Sequence, residues 1–244
     1  MEVIAVDHVQ FAVRSVAVGT RYLLQHGYEL VFQEVDFNLE ARSYFRSVQK
    51  SMSYLKRGTS RVELITGADQ EGYARYIPVF GGFESPDYLP ELEMGHFQAF
   101  WHDELSSVCA SGMGEAPILK EVVARASRPD HSLFFWRLLG FELTAKDDQW
   151  YTLMFPSNML SMPLTVFLAR MPFGHGEEAR VDDLGCSSIA LVTRNLCADR
   201  ATLQQKHYTV SEVTHFRINR KPLTICIVSG PSGELVELLE PGRN

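Results

Sequence analysis

The sequence predicts an α+β protein in which one strand, helix, three-strand module (βαβββ) is used several times along the chain. A recurring count carries that expectation. His8 in Val-Asp-His-Val-Gln-Phe-Ala-Val lies 19 residues before Gly27, Glu121 in Leu-Lys-Glu-Val-Val-Ala lies 19 before Gly140, and Ser188 in Ser-Ser-Ile-Ala-Leu-Val lies 19 before His207. An equal strand-to-turn distance in three places marks one supersecondary unit repeated. Periodicity supplies the second observation, because the first opening segment alternates as a half-buried strand does and the spans behind the openings carry helix start and stop signals.

In the first module, residues 3–13 put Val9, Phe11 and Val13 on one side of a strand and His8, Gln10 and Ala12 on the other. Ser15 caps a helix running to about His26, Gly27 ends it, and 28–35 is the next strand. Residues 43–48 and 51–56 read as a hairpin, and Arg61-Val-Glu-Leu-Ile-Thr closes the module. Residues 67–94, rich in Gly, Pro, Tyr and acidic side chains, suit a long covering loop. Gly95 to Trp101 then reads as a strand and 103–111 as a short helix. His96-Phe-Gln echoes His8-Val-Gln, so this stretch is expected to open an incomplete module.

The second complete module starts near Ile118. Its helix is announced by Ser127-Arg-Pro-Asp ahead of Leu133, Phe134, Trp136, Leu138 and Leu139, and its strands fall near 141–146, 150–155 and 164–170. The third runs from Cys186 through a helix at about 195–206 to strands near 208–213, 222–229 and 234–239. The expected organisation is therefore an N-terminal module plus the partial one over 1–112, with 67–94 as the cover, followed by a pair of modules over 115–244.

A 244-residue chain with 45% hydrophobic and 22% charged residues can bury one large core or two small ones. A formal charge of -7 and a pI near 5.6, with no basic stripe, argue against nucleic acid and favour a small-molecule partner. Cys109, Cys186, Cys197 and Cys226 form no C-x-x-C pair, as expected of reduced cytoplasmic thiols. The start of the chain has no secretory pattern and no apolar run is long enough to span a bilayer, so a cytoplasmic protein without a membrane partner is expected.

The Asp-His-Val-Gln-Phe-Ala-Val opening and the Val-Glu-Leu-Ile close, with Phe135-Trp-Arg-Leu-Leu-Gly-Phe-Glu-Leu143 and Gly233-Glu-Leu-Val-Glu-Leu-Leu-Glu-Pro241, resemble the vicinal oxygen chelate superfamily. Glyoxalase I, bleomycin-resistance proteins and extradiol dioxygenases belong to it. The resemblance implies cupped mixed sheets made by paired modules, with a divalent metal on the floor. Its ligands come from the opening strand, usually His, and from the closing strand, usually Glu. Imidazole and carboxylate suit Fe(II) or Mn(II), and open coordination positions can take two neighbouring substrate oxygens.

On this resemblance the first module supplies His8 and Glu63, and the partial module supplies His96 at the opening place. These three would make the two-histidine, one-carboxylate set of non-haem iron oxygenases. The second module offers Glu121 and Phe167, and the third Ser188 and Glu237. If those two modules pair, Glu121 and Glu237 face one cup as candidate catalytic carboxylates, each able to serve as a general base; Glu121 could equally bind Arg125 or Lys120. The implied function is a metal-dependent, metal-binding enzyme acting on a small aromatic or oxygen-rich metabolite, an oxidoreductase of the dioxygenase type. Two alternatives stay open: a metal-free binding or resistance protein, and a metal-free lyase or isomerase with a glutamate base. The sequence leaves open which modules pair, within one chain or across a homodimer.

Aromatic residues cluster in and after the cover: Tyr73, Tyr76, Phe80, Phe83, Tyr88, Phe97, Phe100 and Trp101. Several of them lining the cup would favour a flat apolar substrate.

Overall fold

The computed structural model describes residues 1–38, 44–46, 49–68, 75–81, 97–112, 118–156, 161–170 and 180–242. The first module forms as its pattern dictates, from β1 (Val3–Val13), α1 (Val16–Gln25), β2 (Glu29–Asn38), β3 (Gln49–Arg57) and β4 (Ser60–Thr66). Ser15 caps α1 by accepting from the Val18 N–H, and Gly27, at φ +81°, makes the left-handed turn out of the helix. The hairpin is β3 with β4; β2 runs longer than expected, and residues 44–46 are not part of a strand.

The second complete module is β8 (Leu119–Ala126), α2 (Pro129–Leu138), β9 (Glu142–Lys146), β10 (Trp150–Met154) and β11 (Thr165–Arg170). The third is β12 (Gly185–Thr193), α3 (Leu196–Gln205), β13 (Thr209–Val210), β14 (Thr214–Ile218), β15 (Lys221–Ser229) and β16 (Leu235–Pro241). Three further strands lie between: β5 (Tyr76–Gly81), β6 (Gln98–His102) and β7 (Ser107–Gly112). Two expectations are corrected here. The cover over 67–94 contains the strand β5, and the short helix expected over 103–111 is a turn followed by β7.

Strand pairing resolves which modules meet. In each module the closing strand lies parallel to the opening one, β1 with β4, β8 with β11, β12 with β16, and likewise β5 with β7. Opening strands then join antiparallel, β1 with β12 and β5 with β8. The first module therefore seats against the third, and the partial module against the second. The boundary expected between 112 and 115 is crossed by the β1–β12 ladder, so the two sequence halves do not form separate sheets. A paired opening strand needs a partner with a free edge, and the edge left free by β4 on β1 is taken by β12.

The partial module thus opens with β5, while β6 pairs antiparallel with β7. Pro78 hides β5 in the sequence, because proline cannot donate to a ladder. On the β5 edge facing β12 and β7, Tyr76 pairs with Cys186 and pairing resumes only at Val79 with Ala110, so Pro78 falls in the gap.

The main core includes Phe11, Leu23, Leu64, Tyr76, Phe80, Phe135 and Trp136, all buried. Among the described residues all four cysteines are free, and no helix is long and apolar enough to cross a membrane.

Candidate functional site

The sheet register shows what each module presents to its cup. Gln10 is paired with Glu63, Val123 with Phe167 and Ala190 with Glu237, and two residues before each opening member stand His8, Glu121 and Ser188. Applied to β5, whose Ile77 faces Val123 and whose Val79 faces both Glu121 and Ala110, the same register gives Ile77 and Ala110. The cup shared by the first and third modules therefore holds His8, Glu63, Ser188 and Glu237. The other holds Ile77, Ala110, Glu121 and Phe167, and is filled by an apolar cluster of Ile77, Val79, Phe97, Ala110 and Val123 with Trp150 and Phe167 packed on it. Glu121 and Glu237 do not share a cup, a correction that follows directly from β8 pairing with β5 while β12 pairs with β1. His96 lies outside the described residues; it stands 19 residues after Ile77, the distance from His8 to Gly27.

A cavity of about 250 Å³ opens over the first cup. Its floor carries Asp7, His8, Gln10, Glu63 and Glu237, and its walls include Phe32, Phe37, Phe45, Met52, Tyr54, Ile65, Phe216, Leu223, Ile225 and Leu239. Of the eight clustered aromatics, the five among the described residues are not in the lining. Tyr76, Phe80, Phe97 and Phe100 are buried in the protein interior, Trp101 is partly exposed, and Tyr73, Phe83 and Tyr88 lie outside the described residues.

Asp7 is a functional residue that sequence reading missed. Neighbours on a regular strand face opposite sides, yet Asp7 Oδ2 accepts from His8 Nδ1 at 2.8 Å. The register explains it: Val6 pairs with Leu191 and His8 with the next residue, Ala190, so Asp7 is the extra residue of a β-bulge. Tyr54 Oη donates to the same Asp7 oxygen at 2.9 Å, and Arg61 Nη1 stands 3.6 Å from the other. Tyr54 meets the His8 ring edge-on at 5.5 Å and stacks on Phe32 at 5.2 Å.

The other ring nitrogen, His8 Nε2, is buried without a hydrogen-bond partner and lies 3.6 Å from Glu63 Oε2. Ser188 Oγ donates to Glu237 Oε1. Burial opposes a charge on His8, but Glu63 and Asp7 outweigh it and its pKa is pushed up to about 9. Burial raises Glu63 to about 7, with His8 pulling it down and Glu237 pushing it up. Burial also raises Glu237, against the pull of His8 and of the Ser188 hydroxyl. Asp7 is held low despite its burial, chiefly by its hydrogen bond with His8.

Two solved structures superpose on the whole architecture. A candidate dioxygenase from Bacillus subtilis subsp. subtilis str. 168 shares 14% identity at a TM-score of 0.64, covering 100% of this chain and 87% of that one. Glyoxalase I from Zea mays shares 14% identity at a TM-score of 0.65, covering 97% and 92%. The chain has the vicinal oxygen chelate fold. At these identities the likeness concerns the fold alone, and neither a family model nor a curated protein sequence matches the chain.

The vicinal oxygen chelate fold implies a divalent metal, and the floor can be tested for one. A buried imidazole nitrogen lacking a partner beside a carboxylate is the donor pair such an ion requires. The Asp7 carboxylate on Nδ1 fixes the ring as outer carboxylates do for ligating histidines. Among the described residues no three His, Cys, Asp or Glu side chains gather as a ready-made cage. His8 and Glu63 fit an ion as a pair, and Glu237, held by Ser188, is the remaining carboxylate beside them.

Proposed function

We propose that the protein is an enzyme that binds a small, flat, oxygen-bearing molecule in the apolar cup and acts on it with a divalent metal for which His8 and Glu63 are the donor pair and Glu237 the neighbouring carboxylate. The observation supporting this is the buried, unpartnered His8 Nε2 facing Glu63 beneath aromatic walls. Bound there, Fe(II) or Mn(II) supplies Lewis acidity toward substrate oxygens and, with iron, dioxygen chemistry. One imidazole with two carboxylates is a harder donor set than the two imidazoles and one carboxylate expected from the sequence. It suits Mn(II) at least as well as Fe(II).

The chain's own groups have separable roles. Asp7 orients the His8 ring, Tyr54 and Arg61 hold Asp7 in place, and Phe32, Phe37, Phe45 and Phe216 take the flat body of the ligand away from water. Dioxygenation is the reaction favoured by the sequence resemblance.

A second reading is metal-free binding or lyase and isomerase chemistry. It is favoured by Ser188, whose hydroxyl engages Glu237, and by Glu63, whose pKa near 7 suits a group that exchanges a proton at neutral pH. Metal analysis of protein purified without chelator, with His8→Ala alongside, separates the two. Stoichiometric iron or manganese lost in the variant supports the metal reading; less than about a tenth of an ion per chain after incubation with either metal overturns it.

A further inference from the structure

The walls of the cup change character along one pair of strands. On β15 the lining residues Lys221, Leu223 and Ile225 pass from exposed through half-buried to buried, and on β16 Pro241 is exposed while Leu239 and Glu237 are buried. Both sets alternate along their strands, so they share one face of the sheet. The four residue steps of β16 from Glu237 to Pro241 span about 13 Å, so the cavity is a slot with a buried acidic end and an open end.

The open end holds a cation. Lys221 is one of two residues lining the slot that can carry positive charge, the other being His8 on the floor. Among the described residues its ammonium has no carboxylate partner. The turn before it, Asn219 and Arg220, takes positive φ, and the Asn219 N–H donates to Glu34 of β2 at 2.7 Å, which fastens this corner across to the first module. The nearby Glu34 carboxylate is thereby engaged by backbone.

The floor carries the opposite charge. A carboxylate driven inward meets Asp7, Glu63 and Glu237 around a single imidazole. A divalent ion bound there, with Arg61 on Asp7, only balances the three carboxylates and leaves no surplus positive charge for a fourth. At the mouth the same carboxylate meets an unpaired ammonium.

Resting on the proposed function above, we infer that the ligand is an elongated aromatic acid, which enters with its neutral hydroxyl or carbonyl end toward His8 and Glu63 and leaves its carboxylate at the mouth on Lys221. The apolar body fills the slot between Phe216, Ile225 and Leu239. Lys221 is then a specificity-determining residue of the site.

The test is calorimetric titration of the manganese-loaded protein with 4-(4-hydroxyphenyl)butanoate and with its primary amide, which has the same shape without the charge. The acid is expected to bind about three- to fivefold more tightly, a preference that weakens as salt is added. Lys221→Met is expected to bring the acid down to the affinity of the amide, and Lys221→Arg to keep the preference. Equal binding of the two probes by the unaltered protein, binding of neither, or a preference that survives Lys221→Met overturns the inference. None of those results touches the floor. The proposed function fails separately if His8→Ala retains a full complement of manganese.

Discussion

Lys50 Nζ stands 2.6 Å from Asp182 Oδ2 with both side chains wholly out of solvent, one from β3 and the other from the segment leading into β12. The same ammonium donates to the Thr66 carbonyl at 2.9 Å, and the two Asp182 oxygens accept from the Arg46 N–H at 2.8 and 2.9 Å. Together with Gln10 Nε2, which donates to the Val181 carbonyl at 3.0 Å, these bonds fasten the first module to the third beside the cup.

Breaking that pair leaves a buried charge with no partner. Lys50→Met is expected to cost about 3–5 kcal/mol of stability, read as a lower urea midpoint. Lys50→Met with Asp182→Asn, which removes the second charge and keeps an acceptor for Arg46, is expected to recover part of the loss. A single variant within about 0.5 kcal/mol of the parent contradicts the assignment.

Stability of the metal-free protein is expected to fall as pH rises. His8 holds its proton to about 9 in the fold against 6.5 unperturbed, and Glu63 to about 7 against 4.5. A pKa raised by folding gives stability that is complete below the unfolded value and lost as pH passes the folded one, so both losses have the same sign. Urea midpoints taken between about pH 5.5 and pH 8.5 should decline, and Glu63→Gln should flatten the decline. A midpoint that rises across this window rules out the assignment.

Asp7 acts on the site through His8. Asp7→Asn is expected to weaken Mn(II) binding by about 10- to 100-fold while the protein stays folded, because the ring loses its carboxylate partner on Nδ1. Calorimetric titration at fixed pH measures it; an unchanged affinity would show that this contact does not orient the ring.

The two cups make opposite predictions for their glutamates. Glu237→Ala should reduce Mn(II) affinity by about tenfold or more, whereas Glu121→Ala, in the cup filled with apolar side chains, should shift it by less than about twofold. Equal effects from both variants would mean that the cups are not independent.

The three complete modules were legible because the first opening strand alternates and their helices keep one length, and the spacing from His8, Glu121 and Ser188 fixes the register that the sheet adopts. The partial module was not. Its opening strand is interrupted by Pro78, and its closing strand is a run of small residues, Ser107-Val-Cys-Ala-Ser-Gly112, without the carboxylate that marks β4 and β16. The echo around His96 pointed to the wrong strand for that reason. Pairing of the modules was also hidden, since it depends on which edges are free after each module closes. Asp7 escaped notice because only the bulge turns it toward His8, and Lys50 because a lysine in a strand ordinarily reads as a solvated face.

The cup is built from the two ends of the described chain, β1 to β4 on one side and β12 to β16 on the other, with residues 67–184 between them. During synthesis the first module leaves the ribosome long before its partner exists, and the β1 edge that β12 will cover stays open meanwhile. Contacts of such sequence separation form slowly, so the ligand site is completed only once β12 to β16 have been made. An N-terminal fragment ending before residue 185 would carry His8 and Glu63 and still lack a cup.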